Sequence, residues 1–384
     1  MKIHMGKTRW KVYAGILTVV IALNIAAWNS TAFCDWYIRT VFPIWVSTYG
    51  RFTGLFPFSV GEIMIVLGVL LVAAVILLGV VWLAAAVADR WKKLKGFCRV
   101  YYQAFAWILL GVCLVMTLNC FILYHGSTFS EKYFGADTRE YTLEELTALR
   151  NFVVEQCNDL CTQMPRNEDG SIIYTGDMGE TARAAMLHLG ETYDNLGGYC
   201  PKPKPLYSSD FMCQQYMAGY YFPFSMEANY NDVMYIMNKP ATFCHELAHL
   251  KGYIYEDEAN FIGYLACVQS EDLCFRYSGY LSVLNYIDND FYDAVGRDRE
   301  RYLQEPAVLQ QVRADDVFVT QEEWDRIEKK ALLDTEVVDA ISDSFIDANL
   351  KLNGIPDGAI SYSRVVKLLL QYYDIHGYGT PCDP

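Results

Sequence analysis

The residues best suited to chemistry form one motif, HELAH, at residues 245–249. His245 and His249 are four positions apart, so on a helix both imidazoles project from one face. Two neutral imidazoles at this spacing can bind one Zn²⁺, and Glu246 beside the first is placed to take a proton from a water that the metal activates. The motif therefore predicts zinc as the cofactor, His245 and His249 as ligands, and Glu246 as the catalytic base.

A third ligand must come from elsewhere in the chain. Position 255 is a tyrosine, so a third histidine does not follow Gly252 at the spacing of three residues that some zinc peptidases use. The next residues are EDEAN, and on a second helix Glu256 and Asn260 share a face while Glu258 points about 200° away. We predict Glu256 as the third ligand and Asn260 as the acceptor that supports a ligand histidine. This register is similar to the ExxAD and ExxxD patterns of gluzincins, although an amide replaces the acid.

A predicted aromatic helix at 273–286 supplies candidates for stabilising the oxyanion of a peptide hydrolysis. Arg276, Tyr277 and Tyr280 are the nearest such groups along the chain. We assign the role to Tyr277, since a hydroxyl can donate to a developing negative charge. Packing in the core is the commoner role for a tyrosine in such a helix, and both interpretations stay open.

Cysteines add little to the predicted site. Cys244 adjoins His245, but a buried small side chain is the expected role for it. Eight of the 12 cysteines follow residue 125, and Cys382 is the last of them. An even number permits disulfides in an oxidising compartment, with a connectivity that the sequence does not define.

Three apolar runs precede the motif: Val12–Trp28, Ile63–Ala88 and Val100–Tyr124. Each is long enough to span a bilayer, and the second is almost purely aliphatic. The first follows a basic tail, and we favour an uncleaved anchor over a signal peptide. The sequence therefore predicts a transmembrane anchor at 1–124, with helices at about 12–28, 63–88 and 100–124, followed by a domain at 125–384.

Lysine and arginine set the orientation of these spans. Basic residues are concentrated in the N-terminal tail and in the loop at 89–99, whereas residues 29–59 contain only Arg39 and Arg51. The positive-inside rule puts the tail and the 89–99 loop in the cytoplasm, so residues 125–384 lie outside it. The loop at 29–59 is rich in Trp, Tyr and Phe. We expect an aromatic girdle at the bilayer surface, with contact to a substrate as the alternative.

Charge is divided unevenly between the two parts. Residues 1–124 contain 11 Lys and Arg against 3 Asp and Glu, and the remainder contains 20 against 42. An acidic outer domain argues against nucleic acid or anionic headgroups as partners. The lipid bilayer and a peptide or protein substrate are the partners that remain.

The outer domain is predicted to be mainly helical with a small sheet. A capping box at Thr142 begins a helix that runs to about Cys161, and another capping sequence predicts one long helix from 321 to about 352. Alternating residues at 217–224 and 233–237, separated by a polar turn, predict a strand pair before the HExxH helix. In zincins a strand in this position borders the cleft and pairs with an extended peptide. An ordinary hairpin is the alternative.

The chain also resembles a known family over most of its length. The runs GYYFPFSMEANYN, HELAH, EDEANFIGYLAC and RYSGYL, with FPFSVGE and DGAISYSRVVKLLL, are similar to the bacterial domain-of-unknown-function family 3810. The resemblance implies a zincin-like peptidase domain behind transmembrane helices and names no substrate.

These observations predict a mainly α-helical membrane protein with three transmembrane helices and a zincin-like α+β domain. We expect a zinc metallopeptidase that hydrolyses peptide bonds outside the cytoplasm. The alternative is a catalytically silent binding or sensory domain that keeps the zincin architecture. An open metal position facing a groove would favour the enzyme.

Overall fold

The protein is described by a computed structural model that covers residues 7–88, 92–135, 139–352 and 362–378. Cys382 and positions 89–91 of the predicted basic loop lie outside the described residues. The N-terminal helices are α1 (Lys7–Asn29), α2 (Thr31–Thr40), α3 (Phe42–Thr53), α4 (Val60–Ala88), α5 (Lys92–Met116) and α6 (Ile122–Tyr124). A π-helical segment, Thr117–Phe121, joins α5 to α6.

Three of the described helical segments are long and apolar enough to span a membrane: Thr8–Asn29, Val60–Leu83 and Lys95–Tyr124. The prediction of three long apolar helices is therefore confirmed; the first and third spans are wider than the predicted runs, and the second is shifted toward the N-terminus. Their orientation across a bilayer stays a prediction.

The aromatic stretch between the first two spans is helical, so its prediction as a loop was wrong. Ser30 begins α2 by accepting a hydrogen bond from the Phe33 N–H, and Pro43 lies in the first turn of α3. The apolar residues of this stretch recur at helical spacing, so α2 and α3 each have two different faces. The inner face is buried, whereas the outer faces of the two helices and the turn after α3 expose aromatic side chains: Trp36, Trp45, Tyr49, Phe52 and Phe56.

The rest of the chain is a helical domain. Its helices are α7 (Phe129–Tyr133), α8 (Leu143–Gln163), α9 (Met178–Thr192), α10 (Ser209–Cys213), α11 (Lys239–His249), α12 (Glu256–Val268), α13 (Leu273–Ala294), α14 (Arg299–Tyr302), α15 (Gln310–Asp315), α16 (Gln321–Lys330), α17 (Thr335–Leu352) and α18 (Tyr362–His376). The capping box at Thr142 is present at the start of α8, as predicted.

The helix predicted from 321 to about 352 is two helices, α16 and α17. Ala331 is extended and ends α16. The Gln214 side chain donates hydrogen bonds to the carbonyl of Leu333 at 3.0 Å and to the Thr335 hydroxyl at 3.2 Å, and so stabilises the break. Because Gln214 is more than 100 residues away in the sequence, the local sequence pattern did not indicate this break.

A three-stranded sheet precedes α11. Its strands are β1 (Lys204–Pro205), β2 (Gly219–Phe222) and β3 (Glu227–Tyr230), in the order β1-β3-β2. β2 is antiparallel to β3, and β1 is parallel to β3. The small sheet was predicted, but its second strand was placed wrongly at 233–237. The predicted polar turn began at Asn229, but Asn229 lies in β3 and is buried there, as is Glu227.

The helices α11 and α12 lie at the centre of the domain. Gly263 allows their close approach, because a Cβ there would lie 3.1 Å from the carbonyl oxygen of Ala241 and from the amide nitrogen of His245. The hydrophobic core around these helices also includes Tyr37 and Phe42 from α2–α3 and Ile122 from α6. One continuous core therefore joins the domain to the neighbouring ends of the first and third apolar helices.

Candidate metal centre

α11 carries the HExxH motif and ends at its second histidine. Pro240 lies in the first turn, where its missing N–H costs no hydrogen bond. Gly252 has a φ of 96°, a conformation that glycine adopts without strain, and it turns the chain toward α12. Lys251 is buried in this turn and donates hydrogen bonds to the carbonyls of residues 197–199. This turn places Glu256, the first residue of α12, opposite the histidines.

The three predicted ligands lie together. The Nε2 atoms of His245 and His249 are 3.1 Å apart, and Glu256 Oε2 lies 3.1 Å from His245 Nε2. The other Glu256 oxygen is 3.7 Å from His249 Nε2. One donor atom from each residue falls within 4.8 Å of the other two, a spacing at which a single ion could be shared.

The outer nitrogens of both imidazoles bind oxygen acceptors. His245 Nδ1 donates to Asn260 Oδ1 at 2.8 Å, and His249 Nδ1 donates to the carbonyl oxygen of Tyr253 at 2.7 Å. The structure thus brings Asn260 to a ligand histidine, in the arrangement the sequence predicted. The Tyr253 carbonyl was not predicted, because a backbone acceptor depends on the turn and not on residue type. With Nδ1 of both rings bound to an oxygen acceptor, the two Nε2 atoms are turned toward each other, and that of His245 also toward Glu256.

Burial and neighbouring charges shift the pKa of each member of the cluster. Burial alone would lower the pKa of His245, but the hydrogen bond and charge of Glu256 outweigh it and raise that pKa to about 9. Burial would raise the pKa of Glu256, but the two imidazoles lower it to about 2. Burial lowers the pKa of His249 to about 4. A neutral His249 beside a Glu256 carboxylate suits a cation, since metal ligands must be deprotonated.

Glu246 lies beside this cluster but is not one of its ligands. Its side chain is buried, and Oε2 has no hydrogen-bond partner among the described residues. Burial raises its pKa to about 8, against the opposing effect of the His245 charge. Gly219 of β2 covers the other oxygen: a Cβ at Gly219 would lie 2.7 Å from Glu246 Oε1. Sequence analysis missed this glycine, although a glycine within a strand often marks such a close approach.

Glu258, the alternative third ligand, points away from the histidines. Its carboxylate accepts hydrogen bonds from the Phe129 N–H at 2.6 Å and from the Ser130 hydroxyl at 3.0 Å, at the start of α7. Burial raises its pKa to about 7. Between the two glutamates of this helix, the structure brings only Glu256 to the histidines.

Tyr277 does not reach the cluster, which corrects the candidate role assigned to it. Its side chain is fully buried, and its hydroxyl donates to Asp315 Oδ2 at 2.8 Å. Arg166 also binds that carboxylate, at 2.6 Å. The Tyr277 side chain is therefore part of a polar network with Asp315 and Arg166 and not of the histidine cluster, because α13 turns this face toward the end of α15.

Cys244 also points away from the cluster. Its side chain is fully buried, and its Sγ lies 3.8 Å from that of Cys267. The cysteines of the described residues are all free thiols. The cluster therefore offers nitrogen and oxygen ligands.

Comparison with known families assigns the chain to one of them. The family described as protein of unknown function (DUF3810) matches residues 37–370. The chain belongs to the DUF3810 family. The match begins in α2 and ends in α18, so it includes the sheet, the cluster and two of the three apolar spans. No curated protein and no solved structure matches the chain.

In this DUF3810 protein the cluster opens into a cavity of about 970 Å³. His245, Glu246, His249 and Glu256 lie on its wall, together with the residues of β2 from Gly219 to Tyr221. The open face of the cluster is therefore accessible to a molecule larger than water. A cavity of this size accommodates several residues of an extended peptide.

β2 is the edge strand of its sheet and borders this cavity. The Asn231 N–H donates to the Ala218 carbonyl at 2.8 Å. Hydrogen-bonded residues alternate along an antiparallel pair of strands, so Ala218, Tyr220 and Phe222 are the residues whose backbone groups bond to β3. By alternation, the backbone groups of Gly219 and Tyr221 point away from β3. Both residues line the cavity, so the edge offers donors and acceptors to an extended chain.

Proposed function

We propose that this protein is a membrane-anchored zinc metallopeptidase. The observation that carries the proposal is the pair of Nε2 atoms 3.1 Å apart with Glu256 beside them. Two lone pairs at that distance repel unless a cation or a proton lies between them. Glu246, adjacent and buried with one unpartnered oxygen, supplies the second half of a hydrolytic site.

His245, His249 and Glu256 would hold the metal, and their donor set suits zinc, which binds imidazole and carboxylate. When bound, zinc polarises the scissile carbonyl and makes water acidic enough to react at neutral pH. Asn260 and the Tyr253 carbonyl fix the two imidazole rings in the orientation that turns Nε2 inward.

Glu246 would move the proton. It accepts a proton from the attacking water and passes it to the leaving amine, while the hydroxyl of that water adds to the carbonyl carbon. The bond between carbon and nitrogen breaks, and the products are a carboxylic acid and an amine. Burial raises the pKa of Glu246 to about 8, and the positive charge of a bound cation would lower it again, so the carboxylate would be ionised before it takes the proton.

The peptide would bind along β2. The outward backbone groups of Gly219 and Tyr221 can pair with an extended chain, which adds a strand to the sheet. The chain would then pass the cluster, since Gly219 packs against Glu246.

The proposal places residues 125–384 outside the cytoplasm. It rests on the basic residues of the N-terminal tail and of the loop at 89–99, which the positive-inside rule assigns to the cytoplasm. Reporter fusions at Gly126 that are active only in the cytoplasm would contradict this orientation.

The test is Glu246→Gln in the full-length protein, with zinc content and peptide cleavage measured together. Glutamine keeps the shape of the side chain but removes the base. We expect unchanged zinc content and a cleavage rate lower by about 10²–10⁴-fold on a randomised peptide library. Equal cleavage by both proteins would refute the mechanism. Zinc binding without cleavage by either would favour a silent binding domain.

A further inference from the structure

The cavity beside the cluster is built partly from a membrane span. The third apolar segment, Lys95–Tyr124, contributes three side chains to the cavity wall, and they recur at helical spacing: Met116, Cys120 and Tyr124. The rest of the wall includes β2 and the face of α11 that bears the cluster. The site therefore lies against the outer end of this helix and not at the far side of the domain.

The span is reshaped where it meets the site. Its π-helical segment, Thr117–Phe121, falls between the first and last of the wall residues. Asn119 within it donates a hydrogen bond to the Pro223 carbonyl at 2.8 Å, and the Tyr221 hydroxyl donates to the Asn119 carbonyl at 3.3 Å. A π-helical bulge changes which side chains face a neighbour and is frequent at functional sites. Here it joins the span directly to the end of the edge strand.

The second span meets the same strand. The Gly61 N–H, in the first turn of α4, donates to Glu227 Oε2 at 2.8 Å, and a Cβ at Gly61 would lie 2.6 Å from the Phe222 ring. β2 thus runs from Gly219, beside Glu246, to Phe222, beside α4. At about 3.3 Å per residue this is about 10 Å. A chain extended along β2 would reach two membrane spans within about four residues of the cluster.

The segment between the first two spans provides a second, independent observation. The outer face of α2–α3 exposes tryptophan, tyrosine and phenylalanine side chains, and Trp36 and Phe52 are 49% and 57% exposed. Tryptophan and tyrosine concentrate at membrane–water interfaces. This face would lie on the bilayer surface and hold the domain, together with its cavity, close to the headgroups.

Building on the proposed function, we propose that the substrate is a polypeptide anchored in the same bilayer. The peptidase cuts it within about ten residues of the point where it leaves the membrane. Such a chain rises beside α5 and α4, pairs with β2 and presents its scissile bond to the cluster. An acyl chain and a transmembrane helix would both serve as the anchor.

The experiment uses the full-length protein in phosphatidylcholine vesicles with one randomised peptide segment in five forms. The forms are the free peptide, the segment about six residues from a palmitoyl group, the segment about six residues from a transmembrane helix, and each anchored form lengthened by a Gly/Ser linker of about 30 residues. Cleavage products are measured by mass spectrometry. Glu246→Gln vesicles give the background.

We expect at least one of the short anchored forms to be cut about 10²-fold or more faster than the free peptide. Only enzyme and substrate in the same vesicle should react. The long linker distinguishes two causes of faster cleavage. It keeps the peptide concentrated at the membrane, but it no longer holds the scissile bond within a few residues of the bilayer surface. Cleavage of long and short forms at equal rates would overturn the inference, as would equal cleavage of the free peptide.

The outcomes also separate this inference from the proposed function. If the free peptide is cut rapidly, the proposed zinc peptidase activity is supported and the inference of a membrane-anchored substrate is wrong. Failure to cut any form, with zinc bound, overturns both. A preference for the palmitoyl form or for the transmembrane form identifies the type of anchor.

Discussion

Two polar clusters lie beside the small sheet and differ in how completely their buried atoms are paired. At the far end of β1, Lys204 Nζ donates to Glu227 Oε1 at 2.6 Å and to the carbonyls of Thr53 and Phe58 at 2.7 and 3.1 Å. Glu227 also accepts from the first N–H groups of α4. Each charge in this cluster has its full set of partners.

The cluster on α11 and α12 is incomplete by comparison. The His245 and His249 Nε2 atoms are partners of each other at 3.1 Å, but the buried Glu246 Oε2 has no partner among the described residues. Buried polar groups without partners are costly, so an arrangement of this kind needs a further reason. We infer from this contrast that the Lys204–Glu227 pair holds α4 in place, whereas the histidine cluster binds a ligand.

The largest expected effect follows from removing the third ligand. Glu256→Ala should abolish retention of zinc after dialysis, because two imidazoles alone leave half of a tetrahedral shell without protein ligands. Zinc per chain, measured by mass spectrometry of the metal, checks this. Glu258→Gln is the matched control on the same helix and should retain zinc, since Glu258 binds the start of α7. Loss of zinc in the control alone would reverse the assignment.

A substitution in the Lys204–Glu227 cluster should lower the free energy of unfolding without changing metal binding. Lys204→Met leaves the Glu227 carboxylate buried without its counter-charge, which typically costs about 3–5 kcal/mol of unfolding free energy. Denaturant unfolding in detergent measures this cost, and zinc content should stay the same. Adding Glu227→Gln should recover part of the loss. A variant that unfolds normally but loses zinc would contradict the contrast between the clusters.

A smaller effect is expected at Asn260. Asn260→Ala removes the acceptor for His245 Nδ1 and should weaken zinc binding by about 10–100-fold. Asn260→Asp supplies a charged acceptor that makes the imidazole more basic, so binding should tighten. Competition with a zinc chelator measures both. If neither variant changes the affinity, the hydrogen bond from His245 does not tune the site.

The local parts of the site were predictable from the sequence. The spacing of His245 and His249 and the register of Glu256 and Asn260 follow from helical periodicity within one short stretch. Long apolar runs likewise predicted the three apolar helices. Each of these features depends on neighbours along the chain.

The remaining parts depend on contacts between distant segments. β3 is polar in sequence, and Glu227 is buried there only because Lys204 and α4 supply its partners. Gly219 of β2 packs against Glu246 of α11, and the Tyr277 hydroxyl binds Asp315 and not the cluster. Single-sequence periodicity contains none of this information.

The central claim is that His245, His249 and Glu256 form a zinc centre, and X-ray absorption at the zinc edge of the purified full-length protein tests it most directly. The account predicts about one zinc per chain in a shell of nitrogen and oxygen at about 2.0–2.2 Å, with the outer scattering of two imidazoles. Glu256→Ala should lose this signal. A sulfur ligand at about 2.3 Å, or protein that binds no zinc, would contradict the account.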